Sequence, residues 1–275
     1  MKLYADDNKI IAVDNGDSTR QRLQCDIATM QKWSDEWLMS FNFKKCMVMY
    51  IGKKNPKHKY FLRNGLENME LRETKCERDL GILISNNMKW AEQVIFATNK
   101  ANWVLGMINN TFVKLNINTM STLYKSLVRP HLDYCVQVWY PYLQKDMKIL
   151  ERVQSRATRM APQIKKKSYA ERMIDFNISS LGDRRIRGDL IQMFKTAHGF
   201  DKINWKAPLE FIKSRVLEDS NRNHELRFTR EYAPFCPARH NFFLNRVCHN
   251  WNKLNQKAVK APSVNSFKNL IDKKI

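Results

Sequence analysis

The amino-acid sequence predicts an α+β fold in which strands come first and helices dominate the remainder. Short apolar runs separated by turn residues fill the first 90 residues. From Trp90 onward, apolar residues recur at three- and four-residue steps, which is the helical period. The charge balance changes at the same place: the first 90 residues hold 16 basic and 12 acidic side chains, and the rest of the chain holds 32 and 15. We therefore expect a strand-rich first part and a strongly basic, helical second part.

Two adjacent carboxylates, Asp6 and Asp7, lie in a predicted turn near the start of the chain. Leu3 and Tyr4 precede them and the apolar residues 10–13 follow, which is typical of a β-hairpin with acids at its tip. Mg²⁺ prefers such hard oxygen ligands and completes its octahedron with water and phosphates. Two such ions can activate a 3′-hydroxyl and stabilise a leaving pyrophosphate. The alternative is that both acids are ordinary polar turn residues.

A helix and a strand are predicted next. Apolar residues between positions 23 and 37 recur at helical spacing, with Asp17 or Ser18 as the N-cap, and predict an amphipathic helix of about twenty residues packed on a sheet. Residues 41–50 then read as a strand that carries Lys45.

The last strand predicted in the first part covers residues 79–84. Leu80 and Gly81 lie near its start, and Gly81 would allow another backbone to approach closely. On its own, this short apolar run indicates no more than a buried strand.

Helices follow from residue 90. Val94, Ala97, Ala101, Leu105 and Ile108 fall on one face of the first, together with Trp90 before them. A second helix is predicted from Thr119 to the Arg129-Pro130 pair, since proline lacks the N–H that continues a helix.

The helix predicted over residues 144–160 has apolar side chains on one face and basic side chains on another. Four cations recur at steps of four, four and three residues and therefore share one face: Lys148, Arg152, Arg156 and Arg159. Such a face suits a phosphate backbone, because guanidinium groups hold phosphate oxygens without reading sequence. The alternative is a solvated surface with Glu151 as a partial partner.

Several segments, in the same order, resemble the C-terminal part of reverse transcriptases from non-LTR retrotransposons (LINE-type, CR1- or jockey-like). Tyr4-Ala5-Asp6-Asp7 resembles the metal-binding hairpin of the palm. The helix and strand ending in Asn42-x-x-Lys45-Cys46 resemble the motif that follows it, and Leu80-Gly81-Ile82 resembles the primer grip. Residues 123–139 (LYKSLVRPHLDYCVQVW) match a stretch downstream of the polymerase motifs almost residue for residue, and residues 241–271 resemble the closing segment.

The resemblance implies a fold and a set of sites. Residues 1–90 would be a partial palm, residues 91–175 a helical thumb-like region and residues 176–275 a helical C-terminal region. Asp6 and Asp7 would be the catalytic Mg²⁺ ligands. Lys45 would lie near the incoming nucleotide, with an ordinary edge-strand lysine as the alternative, and Leu80 and Gly81 would grip the primer. The implied partners are an RNA template and a DNA primer.

Activity of this chain by itself is not expected. Two-metal transfer needs a third carboxylate, which in the family comes from a strand preceding the hairpin, whereas this chain begins three residues before the hairpin. We expect weak Mg²⁺ binding by Asp6 and Asp7, no polymerase activity and retained nucleic-acid binding. The alternative is a degenerate or host-adopted remnant that acts only as a basic nucleic-acid-binding or scaffold protein.

The remaining sequence features concern location and metals. No apolar run approaches the length of a membrane span, and the N-terminus lacks the apolar core of a signal peptide, so an intracellular protein of the nucleus or cytoplasm is expected. The six cysteines form no CxxC pair and are expected to be reduced. Cys236, His240, Cys248 and His249 have a spacing that fits no common zinc site, and buried thiols with surface histidines are favoured.

Overall fold

The computed structural model describes residues 2–4, 7–65, 67–203, 211 and 224–272. The chain forms two compact units, Met1–Met88 and Lys89–Ile275. The mixed α/β class is confirmed: the described strands lie in the first unit, and the described residues of the second unit form helices, with an isolated bridge between Phe211 and Phe228. The three-part division predicted above stays a prediction.

The first unit contains one long helix and a series of short strands among its described residues. They are β1 (Lys2–Tyr4), β2 (Asp7–Lys9), α1 (Asp17–Glu36), β3 (Met47–Val48), β4 (Phe61–Asn64), β5 (Glu67–Glu70), β6 (Arg72–Glu73), β7 (Cys76–Asp79) and β8 (Ile82–Ser85).

The strands of the first unit associate only in pairs within the described residues. β1 with β2, β4 with β5, and β7 with β8 are antiparallel hairpins, and β3 pairs with β6 in parallel. Two-stranded sheets cover little apolar surface. The buried side chains described in this unit are accordingly few: Ser34, Tyr60, Leu62, Ile82 and Ser85.

Helix α1 has the predicted length of twenty residues. Its N-cap is Gly16, with φ of 118°, so the prediction of Asp17 or Ser18 as the cap is wrong. The helix contacts β4 through the Gln24 amide, which donates to the Phe61 carbonyl at 2.8 Å and accepts from the Phe61 N–H at 3.0 Å. Trp37, at the end of the predicted apolar face, stays 67% exposed.

The strand predicted over residues 10–13 is wrong. The hairpin closes with Tyr4 opposite Asp7, so its second strand is β2, and residues 10–13 form no strand. Ile11 and Val13 are 70% and 56% exposed. An apolar run becomes a strand only where a neighbouring strand pairs with it, and no described strand does so here.

The second unit is built from helices, with a π-helical segment (Tyr124–Val128) and a 3₁₀ turn (Pro162–Ile164). The described helices are α2 (Ala91–Thr111), α3 (Ile117–Leu123), α4 (Arg129–Asp133), α5 (Gln144–Thr158), α6 (Tyr169–Asp175), α7 (Leu181–Ala197), α8 (Pro237–His240), α9 (Phe243–Asn252), α10 (Gln256–Val259) and α11 (Val264–Asp272).

Two packed regions hold this unit together. The face of α2 predicted to be apolar is buried, with Val94, Ala101 and Ile108 at most 1% exposed, and α2 packs on α4 and α5. Helices α7, α9, α10 and α11 surround a second cluster that contains Trp251 and Phe267, both fully buried. Each packed region orders the helices around it.

The helix predicted to stop at Arg129-Pro130 does not stop there. Asn116 caps α3 by accepting a hydrogen bond from the Thr119 N–H at 2.8 Å, and helical backbone continues through the π-helical segment into α4. Pro130 lies in the first turn of α4. The turn before it has the i to i−5 hydrogen bonds of a π-helix, such as that from the Arg129 N–H to the Tyr124 carbonyl, so the helix continues across a residue that has no N–H to donate.

Candidate nucleic-acid interface

Helix α5 has one buried side and one exposed side, as predicted. Leu150, Val153 and Ala157 are at most 3% exposed and face the packed interior, where α5 contacts α2, α6 and α7. Burial of this apolar side fixes the rotation of the helix about its axis. The opposite side is therefore presented to solvent.

The exposed side of α5 carries a line of cations, which we name the α5 basic face. All four predicted residues are exposed, and the structure adds Lys145, three residues before the first of them. Lys145 continues the three- and four-residue spacing, so the sequence pattern could have found it. The α5 basic face consists of Lys145, Lys148, Arg152, Arg156 and Arg159.

None of these five cations forms an ion pair with any acid in the described part of the chain. Arg156 donates to the Asn102 amide oxygen on α2, with 3.4 Å between Nη1 and Oδ1. Cations that line one side of a helix repel each other and attract a polyanion. The α5 basic face therefore carries positive charge that would favour contact with phosphate groups.

Glu151 is not a partner of these cations, so the alternative that it partly neutralises the face is wrong. Its carboxylate accepts hydrogen bonds from the Tyr169 hydroxyl, from Gln154 Nε2 at 3.2 Å and from the Leu181 N–H at 3.1 Å. Burial, followed by the contact with Glu151, raises the pKa of Tyr169, which therefore stays a donor at neutral pH. These bonds tie α5 to α6 and to the start of α7.

Other arginines of the second unit are buried and donate hydrogen bonds within its interior. The Arg185 guanidinium is 2% exposed, donates to the carbonyls of Trp139 and Leu132 at 3.0 and 2.9 Å, and lies 4.2 Å from the centre of the Trp139 ring. Burial lowers the pKa of Arg185 to about 10. Arg172, 3% exposed, donates to the Thr158 hydroxyl at 3.0 Å and to the Ser155 hydroxyl at 3.2 Å.

Three further arginines form ion pairs between distant segments. Arg184 binds Asp133 at 2.7 Å, Arg187 binds Asp272 with two bonds, and Arg246 binds Asp189 with two bonds of 2.8 Å. The positive charge of residues 184–187 is thus used within the protein. These three arginines therefore differ from the cations of the α5 basic face, because each has a carboxylate partner within the protein.

The predicted metal hairpin is described only in part. Asp6 lies outside the described residues, and Asp7 is exposed at the first position of β2. Two other acids of the first unit are paired with cations: Asp79 with Lys9 of β2, and Asp14 with Arg20 at 3.0 Å. No cluster of three or more metal-ligating side chains is found in the part of the chain that the structure describes. The predicted role of Asp6 and Asp7 as Mg²⁺ ligands stays a prediction.

The predicted primer-grip residues lie in a turn rather than in a strand. Leu80 and Gly81 join β7 to β8 with φ of 45° and 87°, as in a type I′ hairpin turn. The strand predicted over residues 79–84 therefore begins at Ile82. The Lys9 ion pair with Asp79 places this turn near β2, so the structure brings two of the predicted elements of the first unit together.

Lys45 lies in a turn before β3 instead of inside a strand of ten residues. It is exposed, and its N–H donates to the Asn42 carbonyl at 2.9 Å. Its predicted role beside a nucleotide stays a prediction.

Two of the four residues of the weak zinc pattern, Cys248 and His240, have other partners. The buried Cys248 thiol donates to the Phe228 carbonyl at 3.2 Å, and Arg230 Nη2 lies 2.6 Å from the His240 ring nitrogen. The expectation of buried thiols holds for Cys248 and is wrong for Cys236, which is exposed, and His249 lies on the surface as expected.

Comparisons with protein-family models, with curated proteins and with solved structures find no match to this chain. Among the described helices, none combines the length and the apolar character needed to cross a membrane. Function must therefore be inferred from the residues themselves.

Proposed function

We propose that this chain is part of an RNA-directed DNA polymerase of the non-LTR retrotransposon type, and that its helical unit binds nucleic acid through the α5 basic face. The binding proposal is supported by a difference between two groups of cations in the second unit. Arg184, Arg187 and Arg246 have carboxylate partners, whereas the five cations of the α5 basic face have none in the described part of the chain.

Contact with phosphates follows from this arrangement. Each phosphate that a cation neutralises releases condensed counterions, so binding weakens as salt rises. Arg152 and Arg156 are one helical turn apart, and guanidinium groups can hold phosphate oxygens with two parallel bonds. Such contacts position a nucleic acid without selecting its sequence.

The binding test uses fluorescence anisotropy of a labelled RNA oligonucleotide at several salt concentrations. The variant is Arg152→Glu/Arg156→Glu, and its matched control is Lys253→Glu/Lys257→Glu. The control has the same change in net charge at two exposed lysines of the α9–α10 region.

Loss of two phosphate contacts should reduce the slope of log K against log salt by roughly 1.4 to 1.8. The control variant should keep the parental slope. If both double variants bind with the same affinity and slope, the α5 basic face is not the binding surface.

For chemistry, we propose that the chain as given binds nucleic acid without extending a primer. Two-metal transfer needs a further carboxylate beside Asp6 and Asp7, and the described acids Asp14 and Asp79 are paired with Arg20 and Lys9. The test is primer extension on an RNA template with Mg²⁺, beside the Asp6→Ala/Asp7→Ala variant. Extension that disappears in the variant would refute this proposal and show a complete metal site.

A second candidate function is a polymerase-derived scaffold that binds nucleic acid and has no part in synthesis. It is favoured by the small number of buried side chains in the first unit beside the two packed regions of the second. Limited proteolysis distinguishes the candidates. A scaffold needs only a protected fragment starting near Lys89 that retains salt-sensitive RNA binding, whereas a polymerase segment requires residues before Lys89 to contribute to affinity.

A further inference from the structure

An exposed tryptophan lies on α2, the helix that packs against α5. Trp103 on α2 is 71% exposed, although α2 buries its opposite side against α4 and α5. A large aromatic side chain that remains in water at the middle of a well-packed helix contributes little to the core. Its ring is therefore available for a contact outside α2.

Two cations lie near Trp103: Arg156 of the α5 basic face and Lys100 of α2. Arg156 of the α5 basic face contacts Asn102, the residue before Trp103, so its guanidinium is no more than roughly 10 Å from the Trp103 Cα. Lys100 is three residues before Trp103 on the same side of α2 and is exposed, with its Nζ 4.5 Å from the centre of the Phe96 ring. The acid of this helix, Glu92, is about three turns away.

We infer that Trp103 and the α5 basic face together form a binding site for single-stranded nucleic acid. Trp103 stacks on an unpaired base, while Arg156 and Lys100 hold the phosphates on either side of it. This inference rests on the proposed function, to which it adds the class of nucleic acid. Aromatic side chains beside a basic groove are the general means of binding single strands, because every base has a π-face.

The charge around Trp103 favours this occupant over a protein partner. An apolar docking surface is usually depleted of lysine, whereas here Lys100 stands beside the exposed ring. A paired duplex also fits less well, because its bases are already stacked within the helix and offer no free face to the indole. Single-stranded nucleic acid satisfies both the indole and the cations.

The test compares a short uridine RNA oligonucleotide with a blunt RNA duplex of the same length, using the full chain. Trp103→Ala removes the ring, Trp103→Phe keeps an aromatic face, and Met107→Ala is the matched control, since Met107 is apolar, 44% exposed and one turn further on the same side. Because all these side chains are exposed, the variants should keep the parental melting temperature.

We expect Trp103→Ala to weaken binding of the single strand by about fivefold or more, with an unchanged salt slope and unchanged binding of the duplex. Trp103→Phe should retain most of the affinity, and Met107→Ala should stay within about twofold of the parent. Quenching of tryptophan fluorescence on saturation with RNA should be largely lost in Trp103→Phe although that variant still binds.

Two results would overturn the inference while leaving the proposed function in place. One is parental affinity of Trp103→Ala for the single strand, with Arg152→Glu/Arg156→Glu still impaired, which would show that Trp103 does not contribute to binding. The other is an equal loss on single strand and duplex, which a stacking contact does not produce. Absence of RNA binding by the parental chain would refute the proposed function and the inference together.

Discussion

Arg246 is a largely buried cation whose removal has a clearly defined consequence. From α9 it reaches Asp189 on α7 with two bonds of 2.8 Å, and its Nη2 also donates to the Gln137 carbonyl at 2.6 Å. The side chains of Arg246 and Asp189 are only 12% and 5% exposed. The Arg246→Met variant keeps most of the aliphatic stem and removes the charge, so Asp189 is left buried without its partner.

The magnitude follows from the burial of that carboxylate. Removing one partner of a buried ion pair costs about 3 to 5 kcal/mol, because the remaining charge keeps its desolvation penalty. Replacing both partners costs much less, since no charge remains buried. We therefore expect Arg246→Met to lower the free energy of unfolding by about 3 kcal/mol or more at neutral pH, and Asp189→Asn/Arg246→Met to recover a large part of this loss.

The loss should depend on pH in a defined direction. Burial raises the pKa of Asp189 above its ordinary value of 3.8, and the Arg246 guanidinium opposes that rise. Without Arg246 the pKa in the folded state rises further, so the folded variant favours the protonated acid. The destabilisation caused by ionised Asp189 is complete at pH values above its pKa in the folded variant. It disappears as pH falls towards the pKa of Asp189 in the unfolded chain. The difference in stability between variant and parent should therefore shrink as pH is lowered from 7 towards 4.

The assay is equilibrium urea unfolding of the full chain followed by far-ultraviolet circular dichroism at several pH values. The double variant distinguishes two causes of the loss. It removes the unpaired Asp189 charge, but it still lacks the hydrogen bond from Arg246 to the Gln137 carbonyl. A loss of less than about 1 kcal/mol in Arg246→Met, or a loss independent of pH and unrelieved in the double variant, would refute the reasoning.

Three further predictions concern single side chains. Tyr124→Phe should lower the free energy of unfolding by about 1 to 3 kcal/mol, because it removes the donor 2.6 Å from the buried Gln154 Oε1; an unchanged urea midpoint would contradict this. Gly188→Val should cost about 1 to 3 kcal/mol in the same assay, since a Cβ at this position would lie 3.1 Å from a methyl of Val136, and a variant as stable as the parent would show that the contact relaxes freely. Leu80→Asn should raise the melting temperature of the first unit, because the left-handed backbone of Leu80 costs roughly 1 kcal/mol that asparagine reduces; a lowered melting temperature would show that the leucine side chain stabilises the turn.

The long helices could be predicted from the sequence because their apolar residues follow one period over many positions. Helix α1 has the expected length, and the buried side of α2 contains the expected residues. Four of the five residues of the α5 basic face were predicted for the same reason. Once Leu150 and Val153 are assigned to the interior, the helical period decides that Lys148 and Arg152 face solvent.

Short apolar runs could not be assigned in this way. Residues 10–13 have the composition of a strand but no described strand pairs with them, and the run beginning at Asp79 opens with a turn because Leu80 and Gly81 both have positive φ. Pairing depends on residues distant in sequence, and a leucine at positive φ is rare enough that no local pattern predicts it.

The internal arginines show a different limit of sequence reasoning. Arg185 and Arg187 are two residues apart in one basic cluster, yet Arg185 is buried against Trp139 and Arg187 pairs with Asp272, 85 positions away. Composition counts both as surplus positive charge. Only the fold shows that their charge is already engaged within the protein.

This distinction leads to a quantitative expectation for binding. If all the surplus charge beyond residue 90, 32 basic against 15 acidic residues, contacted phosphate, the dependence on salt would be very steep. The α5 basic face alone supplies five cations, for which a slope of about −3.5 for a single strand or −4.5 for a duplex is expected. A much steeper slope would mean that further exposed cations, such as Lys165 and Lys166 in the loop after α5, also contact the nucleic acid. The salt slope therefore counts the cations that the fold leaves available, which net charge does not.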